Sequence, residues 1–318
     1  MKKQTKNILI SFIKFVVAFL SFFYIFLKLK GYSMQNISFS FSGIYDFVLL
    51  AVVILLMPVN WSVEAVKWRF LIKSFQDIPF LTSLKAVFSG ISFAIFTPNR
   101  VGELAGRVFV IKKGNRTKAV FATAIGSMSQ MMITVILGVV FGIVFLFFYS
   151  NKIQNISYET LLFIKIISVV ILVVGLYIFF NLQILVNVFH KFNLSEKLIE
   201  AVSILSSYEN FILFKLLLLS FLRYIVFLLQ YYLLLKVFNV DISFFDASIG
   251  IILTYFVSSV IPTFTFSEIG IRGTAAIFFI GMFSSNIVGI ISATALLWII
   301  NLAIPAIIGS FLFYKLKL

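Results

Sequence analysis

TPNRVGELAGR, residues 97–107, places a helix breaker, two arginines and a glutamate directly after the apolar run SLKAVFSGISFAIF (83–96). How this stretch is read decides the fold. A charged side chain facing lipid at the bilayer centre costs about 2.5–3.5 kcal/mol, so Arg100, Glu103 and Arg107 must face protein or water. Pro98 halves the apolar region 80–112 into arms of about 15 residues. At 1.5 Å per residue each arm is about 22 Å long, short of the roughly 30 Å hydrocarbon core. The region therefore reads as a re-entrant helical hairpin.

The rest of the chain supports a bilayer setting. Of the 318 residues, 62% are hydrophobic and 12% charged, which places the chain among integral membrane proteins. VILGVVFGIVFLFF (135–148) is apolar on every face, whereas a barrel strand would alternate, so the class is an all-α polytopic membrane protein. The loops run to roughly 10–25 residues, too short for a soluble domain, and one membrane domain is expected over 1–318. The absence of cysteine removes disulfides and thiolate chemistry. The single histidine, His190, beside Lys191, reads as a loop residue and makes a histidine metal site improbable.

The basic start and apolar run of MKKQTKNILISFIKFVV continue to about Leu27 without a cleavage pattern, and read as an uncleaved first span. Full spans are expected near 8–29, 43–66, 119–149, 160–187, 209–238 and 287–314. Residues 244–283, cut by IPTFTFSE, form a second hairpin. With the N-terminus inside, fourteen Lys and Arg fall in cytoplasmic segments, among them Lys67, Arg69, Lys112 and Lys113. Four, Lys28, Lys30, Lys152 and Lys236, fall outside. This bias puts both termini on the cytoplasmic side of the membrane. The net charge of +15 reads as a topology signal and attraction to anionic lipid, with no nucleic-acid partner expected.

A shift of 164 residues pairs Asp77 with Asp241, Phe80 with Phe244 and Pro98 with Pro262. One residue later the register pairs Glu103 with Glu268 and Arg107 with Arg272. The expectation is two repeats, about 8–149 and 160–314, each of three spans and one hairpin. An odd number of crossings inserts the second repeat inverted, an architecture that brings broken helices together near the midplane of transporters.

Glu103 and Arg107 share a helical face four residues apart, as do Glu268 and Arg272. Thr97, Asn99 and Ser267 stand where caps of the second arms would be, and an arm starting at mid-membrane turns its unpaired N–H groups toward an anion. Arg100, Arg107 and Arg272 are expected to hold a phosphate, with Glu103 and Glu268 orienting them or receiving a cationic headgroup group. The alternative is that each Glu/Arg pair only braces its hairpin. In WSVEAVKW (61–68), Glu64 and Lys67 join the candidate site, and Trp61 and Trp68 belong either to an interfacial belt or to a cavity entrance. Arg223 and Gln230 lie on one face of the span 209–238, lining a cavity or packing. GVVFG (138–142) is a packing motif. The chain has no GxGxxG, P-loop, HExxH or nucleophile elbow, so neither a cofactor nor an enzymatic activity is expected.

Three groups of residues resemble the membrane domain of bacterial lysylphosphatidylglycerol synthases, of the flippase-like family. They are Trp61, Glu64, Lys67 and Trp68; Thr97, Pro98, Arg100, Gly102, Glu103, Gly106 and Arg107; and Pro262, Ser267, Glu268, Gly270, Arg272 and Gly273. The last group departs from the more usual form, since Gly273 stands where a glutamate follows the arginine. In two-domain members a soluble domain transfers an amino acid to phosphatidylglycerol and the membrane domain moves the product between leaflets. The resemblance implies the translocating half only: a lipid translocase that binds the anionic headgroup of a phospholipid or polyprenyl-phosphate-linked lipid. The alternative from another class is a non-transporting partner of a lipid-modifying or glycosyl-transferring enzyme.

Overall fold

A computed structural model describes residues 19, 22–30, 43–97, 100–149, 157–191, 196–261 and 265–315. Among them every regular element is helical, with no strand. Most of the expected first span, with Pro98, Asn99 and Pro262, lies outside the described residues; α1 covers 22–30. Then follow α2 (Ile44–Ile72), α3 (Phe80–Ile95), α4 (Gly102–Arg107), α5 (Arg116–Phe148) and α6 (Tyr158–Phe180). The remainder are α7 (Gln183–His190), α8 (Glu196–Ser203), α9 (Asn210–Val237), α10 (Phe244–Val260), α11 (Thr265–Phe279), α12 (Ile287–Trp298) and α13 (Ile304–Lys315). Five helical stretches are long and apolar enough to cross a membrane: α2, 113–148, most of α6, α9 and 287–312. The chain is thus an all-α, multi-pass membrane protein.

In α2 the buried residues Val53, Met57, Asn60, Trp61, Glu64, Trp68 and Leu71 recur every three or four positions, forming one protein-facing stripe. Ile54, Leu55, Val59 and Phe70 on the other side are exposed, as suits lipid. The expected span 160–187 stops early. Asn181 leaves helical geometry at φ −123 and its side chain donates to the Tyr177 carbonyl at 2.8 Å, a local bond that competes with continuing the helix.

Both interrupted regions appear as paired arms, α3 with α4 and α10 with α11. The 16 residues of α3 and 17 of α10 span about 24 and 26 Å, less than the core thickness. The second arm of the first hairpin corrects the sequence reading: α4 has six residues, about 9 Å, and passes into a 3-10 turn at Val108–Val110. So short a helix has almost no summed dipole. One of its free N–H groups, that of Gly102, already donates to Thr97 Oγ1 at 2.7 Å. Thr97, expected as a cap, thus accepts from the first residue of α4, while Val101 occupies the N-cap position.

Glycines bring these arms into backbone contact. A Cβ on Gly106 would sit 2.6 Å from Gly90 Cα, and one on Gly90 would sit 2.9 Å from Arg107 Cγ. Packing between hairpins and spans is reciprocal: α3 lies on α13, α10 lies on α5, and α2 lies on α9. Gly138 of the GVVFG motif gives α10 its seat, because a Cβ there would be 2.3 Å from the Phe256 ring. Gly309 seats α3, with a Cβ falling 2.0 Å from the Phe88 carbonyl oxygen, and beside it Ser92 donates to the Ala306 carbonyl at 2.6 Å. Gly309→Val is expected to force α13 off α3 and cost about 1–3 kcal/mol or more. The melting temperature of purified protein checks this, and an unchanged value would refute so close an approach.

Candidate functional site

The spacing of α2 puts Asn60, Glu64 and Lys67 on one face, and all three are buried. Glu64 is a hub. Lys67 Nζ lies 2.8 Å from its Oε2 and also donates to the Gly126 carbonyl at 3.0 Å and Ser220 Oγ at 3.3 Å. From halfway along α9, Arg223 Nη1 reaches Glu64 Oε2 at 2.5 Å, while its Nε donates to Asn60 Oδ1 at 2.8 Å. From α4, Arg107 Nη2 reaches Glu64 Oε1 at 2.8 Å and pairs with Glu103 as well. The guanidinium of Arg223 lies 5.0 Å from the Trp61 ring centre, and that of Arg107 6.0 Å from Trp68. A lone buried carboxylate would be heavily penalised, and the ring of donors offsets that cost.

Against this hub opens a cavity of about 650 Å³ whose wall draws on both hairpins. The first contributes Arg100 and Glu103; the second contributes Tyr255, Ser258, Glu268 and Arg272. Trp61, Glu64 and Lys67 of α2, Gln130 of α5, Arg223 and Tyr224 of α9, and Asn301 add to the polar part. Glu268 and Arg272 pair with each other, and the Arg272 guanidinium lies 5.2 Å from the Tyr255 ring centre. The site and its hub hold five cations, Lys67, Arg100, Arg107, Arg223 and Arg272, and three carboxylates, Glu64, Glu103 and Glu268. The surplus is positive.

Arg100 differs from the other cations. It adopts a left-handed backbone at φ 59, rare for a residue with a side chain, and makes no ion pair among the described residues. Its Nε is buried without a hydrogen-bond partner among them. Arg107, expected to hold the phosphate, is 1% exposed, is absent from the cavity wall, and joins Glu64 to Glu103. Lys67, counted as cytoplasmic, is 1% exposed and lies in the hub at the cavity wall, so it drops out of that count. Trp68 is wholly buried and donates to Thr123 Oγ1 at 2.9 Å, so it belongs to no interfacial belt; Trp61 lines the cavity. Gln230 packs, donating to the Val53 carbonyl at 2.8 Å, and is absent from the cavity wall. Ser267 falls in the first turn of α11.

The sequence reading missed Asn60, Gln130, Tyr224, Tyr255 and Asn301. Asn60 had a signal, lying one turn before Glu64 on the same face. Asn301 had another: Pro305 cannot donate to the Asn301 carbonyl four residues back, and the helix widens into a π turn at Ile299–Ala303.

The fold and site define a polytopic helical membrane protein in which two interrupted helices enclose a cationic cavity. The protein-family description "Lysylphosphatidylglycerol synthase TM region" matches residues 11–309, and the chain belongs to that family. Membership makes it a membrane protein related to lipid modification or transport. No curated protein matches the chain.

Proposed function

We propose that the chain is a flippase-like lipid translocase that admits the anionic headgroup of a phospholipid or polyprenyl-phosphate-linked lipid to the cavity and does no chemistry on it. The observation that carries this reading is Arg100, a guanidinium with no ion pair among the described residues, on the wall of a positively charged cavity shared by both hairpins. Its charge costs too much in an apolar setting to be kept without a counterion, and a phosphate supplies one. Acyl chains remain in the bilayer while the headgroup crosses. In proteoliposomes the protein is expected to accelerate exchange of labelled anionic lipid between leaflets. Equal exchange with and without protein would favour a non-transporting partner of a lipid-modifying or glycosyl-transferring enzyme.

The translocase reading includes two inverted repeats, inserted in a bacterial cytoplasmic membrane with both termini inside. The reciprocal seating of α3 on α13 and α10 on α5 supports it, as do the first residues of α3 and α10, Phe80 and Phe244, which keep the 164-residue offset. The native chain has no cysteine, so single cysteines report topology directly. Ser284→Cys is expected to react with an impermeant maleimide on intact cells, and Gly114→Cys only after permeabilisation. Labelling of both from the same side would overturn the inversion.

A further inference from the structure

The polar groups on the cavity wall fall into two sets. Every carboxylate there has a cation: Glu64 has three, Glu103 has Arg107 and Glu268 has Arg272. The atoms without a hydrogen-bond partner among the described residues include Arg100 Nε, the hydroxyls of Tyr224 and Tyr255, and Asn301 Oδ1. All four residues line the cavity. We infer that the site selects a headgroup that is anionic and hydroxylated, a polyol or sugar phosphate, and rejects one that carries an amino group. The inference rests on the translocase reading for lipid access to the cavity, but the selectivity is a property of binding.

The aromatic side of the cavity shows why. The Tyr224 and Tyr255 ring centres are 5.8 Å apart, and a third tyrosine, Tyr231, lies 6.1 Å from Tyr255. Tyr231 spends its hydroxyl on Thr294, whereas the other two have none to spend it on among the described residues. Asn301 uses its Nδ2 on the Leu297 carbonyl at 3.3 Å and keeps its oxygen, which can only accept. Buried groups of this kind are costly while unpaired, and ligand hydroxyls, which both donate and accept, suit each of them. An ammonium can only donate. It would also bring a further positive charge to a wall where cations already outnumber carboxylates and each carboxylate already has a cation. Arg100 provides the charged donor for the phosphate.

Calorimetric titration of the full chain in detergent with short-chain lipids tests this. Phosphatidylglycerol is expected to bind at least about tenfold tighter than phosphatidylethanolamine or lysyl-phosphatidylglycerol, the scale set by a few buried hydrogen bonds. The soluble headgroup glycerophosphoglycerol is expected to compete, which locates recognition in the headgroup. Tyr224→Phe with Tyr255→Phe keeps both rings and is expected to weaken phosphatidylglycerol about five- to tenfold while leaving the weak lysyl-phosphatidylglycerol binding unchanged. Equal or tighter binding of the amino lipids, no competition by the soluble headgroup, or full affinity in the double variant would each overturn the inference. Headgroup preference without leaflet exchange would strike the translocase reading alone. Exchange with no preference would strike this inference alone.

Discussion

Glu64→Gln is expected to destabilise the protein by about 3–5 kcal/mol, the scale for removing one partner from a buried ionic group. The change is nearly isosteric, so its effect is electrostatic. Lys67, Arg107 and Arg223 all lose their shared counterion, and only Arg107 keeps another carboxylate, Glu103. None of the three can turn to water, since their side chains are 1–8% exposed. The expected readouts are a sharply lower melting temperature in detergent and little monodisperse protein. Combining Glu64→Gln with Arg223→Gln removes a cation along with the anion, and part of the stability should return. A single variant that melts like the parent would show that the hub contributes little.

Arg100→Gly separates function from stability. At φ 59 glycine is at ease where arginine is strained, and removing Arg100 breaks no ion pair among the described residues, so the variant should melt no lower than the parent. Leaflet exchange of labelled phosphatidylglycerol should fall at least about tenfold, because the phosphate loses a charge-assisted donor. Exchange at the parental rate would remove Arg100 from the transport site. A large loss of stability would instead make it a brace.

The sequence carried the architecture further than the chemistry. The spans near 43–66, 119–149, 209–238 and 287–314 and the Glu/Arg pairs four apart are local patterns, and each appears among the described residues, whereas the span expected over 160–187 ends at Phe180. What escaped is long-range. Arg107 and Glu103 are visibly neighbours on one helix, but the contact that draws Arg107 into the buried hub is with Glu64, 43 positions earlier. Arg223 meets the same carboxylate from 159 positions away. The brevity of α4 was hidden because Val108, Phe109 and Val110 keep the hydropathy high while the backbone tightens, and Ile111 then goes extended at ψ 140. Hydropathy reports solvent preference, and only packing reports where a helix stops.

The Glu64 hub joins pieces that are remote along the chain, with two of its members on α2, one on α4 and one on α9. Dissolved ions weaken attraction between charges that water can reach, over about 8 Å at physiological strength, and the four side chains of this clasp are only 1–8% exposed. Molar salt used to strip peripheral proteins from membranes should therefore leave the first hairpin fastened to α9. Only a process that opens the interior itself, such as heat or a denaturing detergent, will unlatch them.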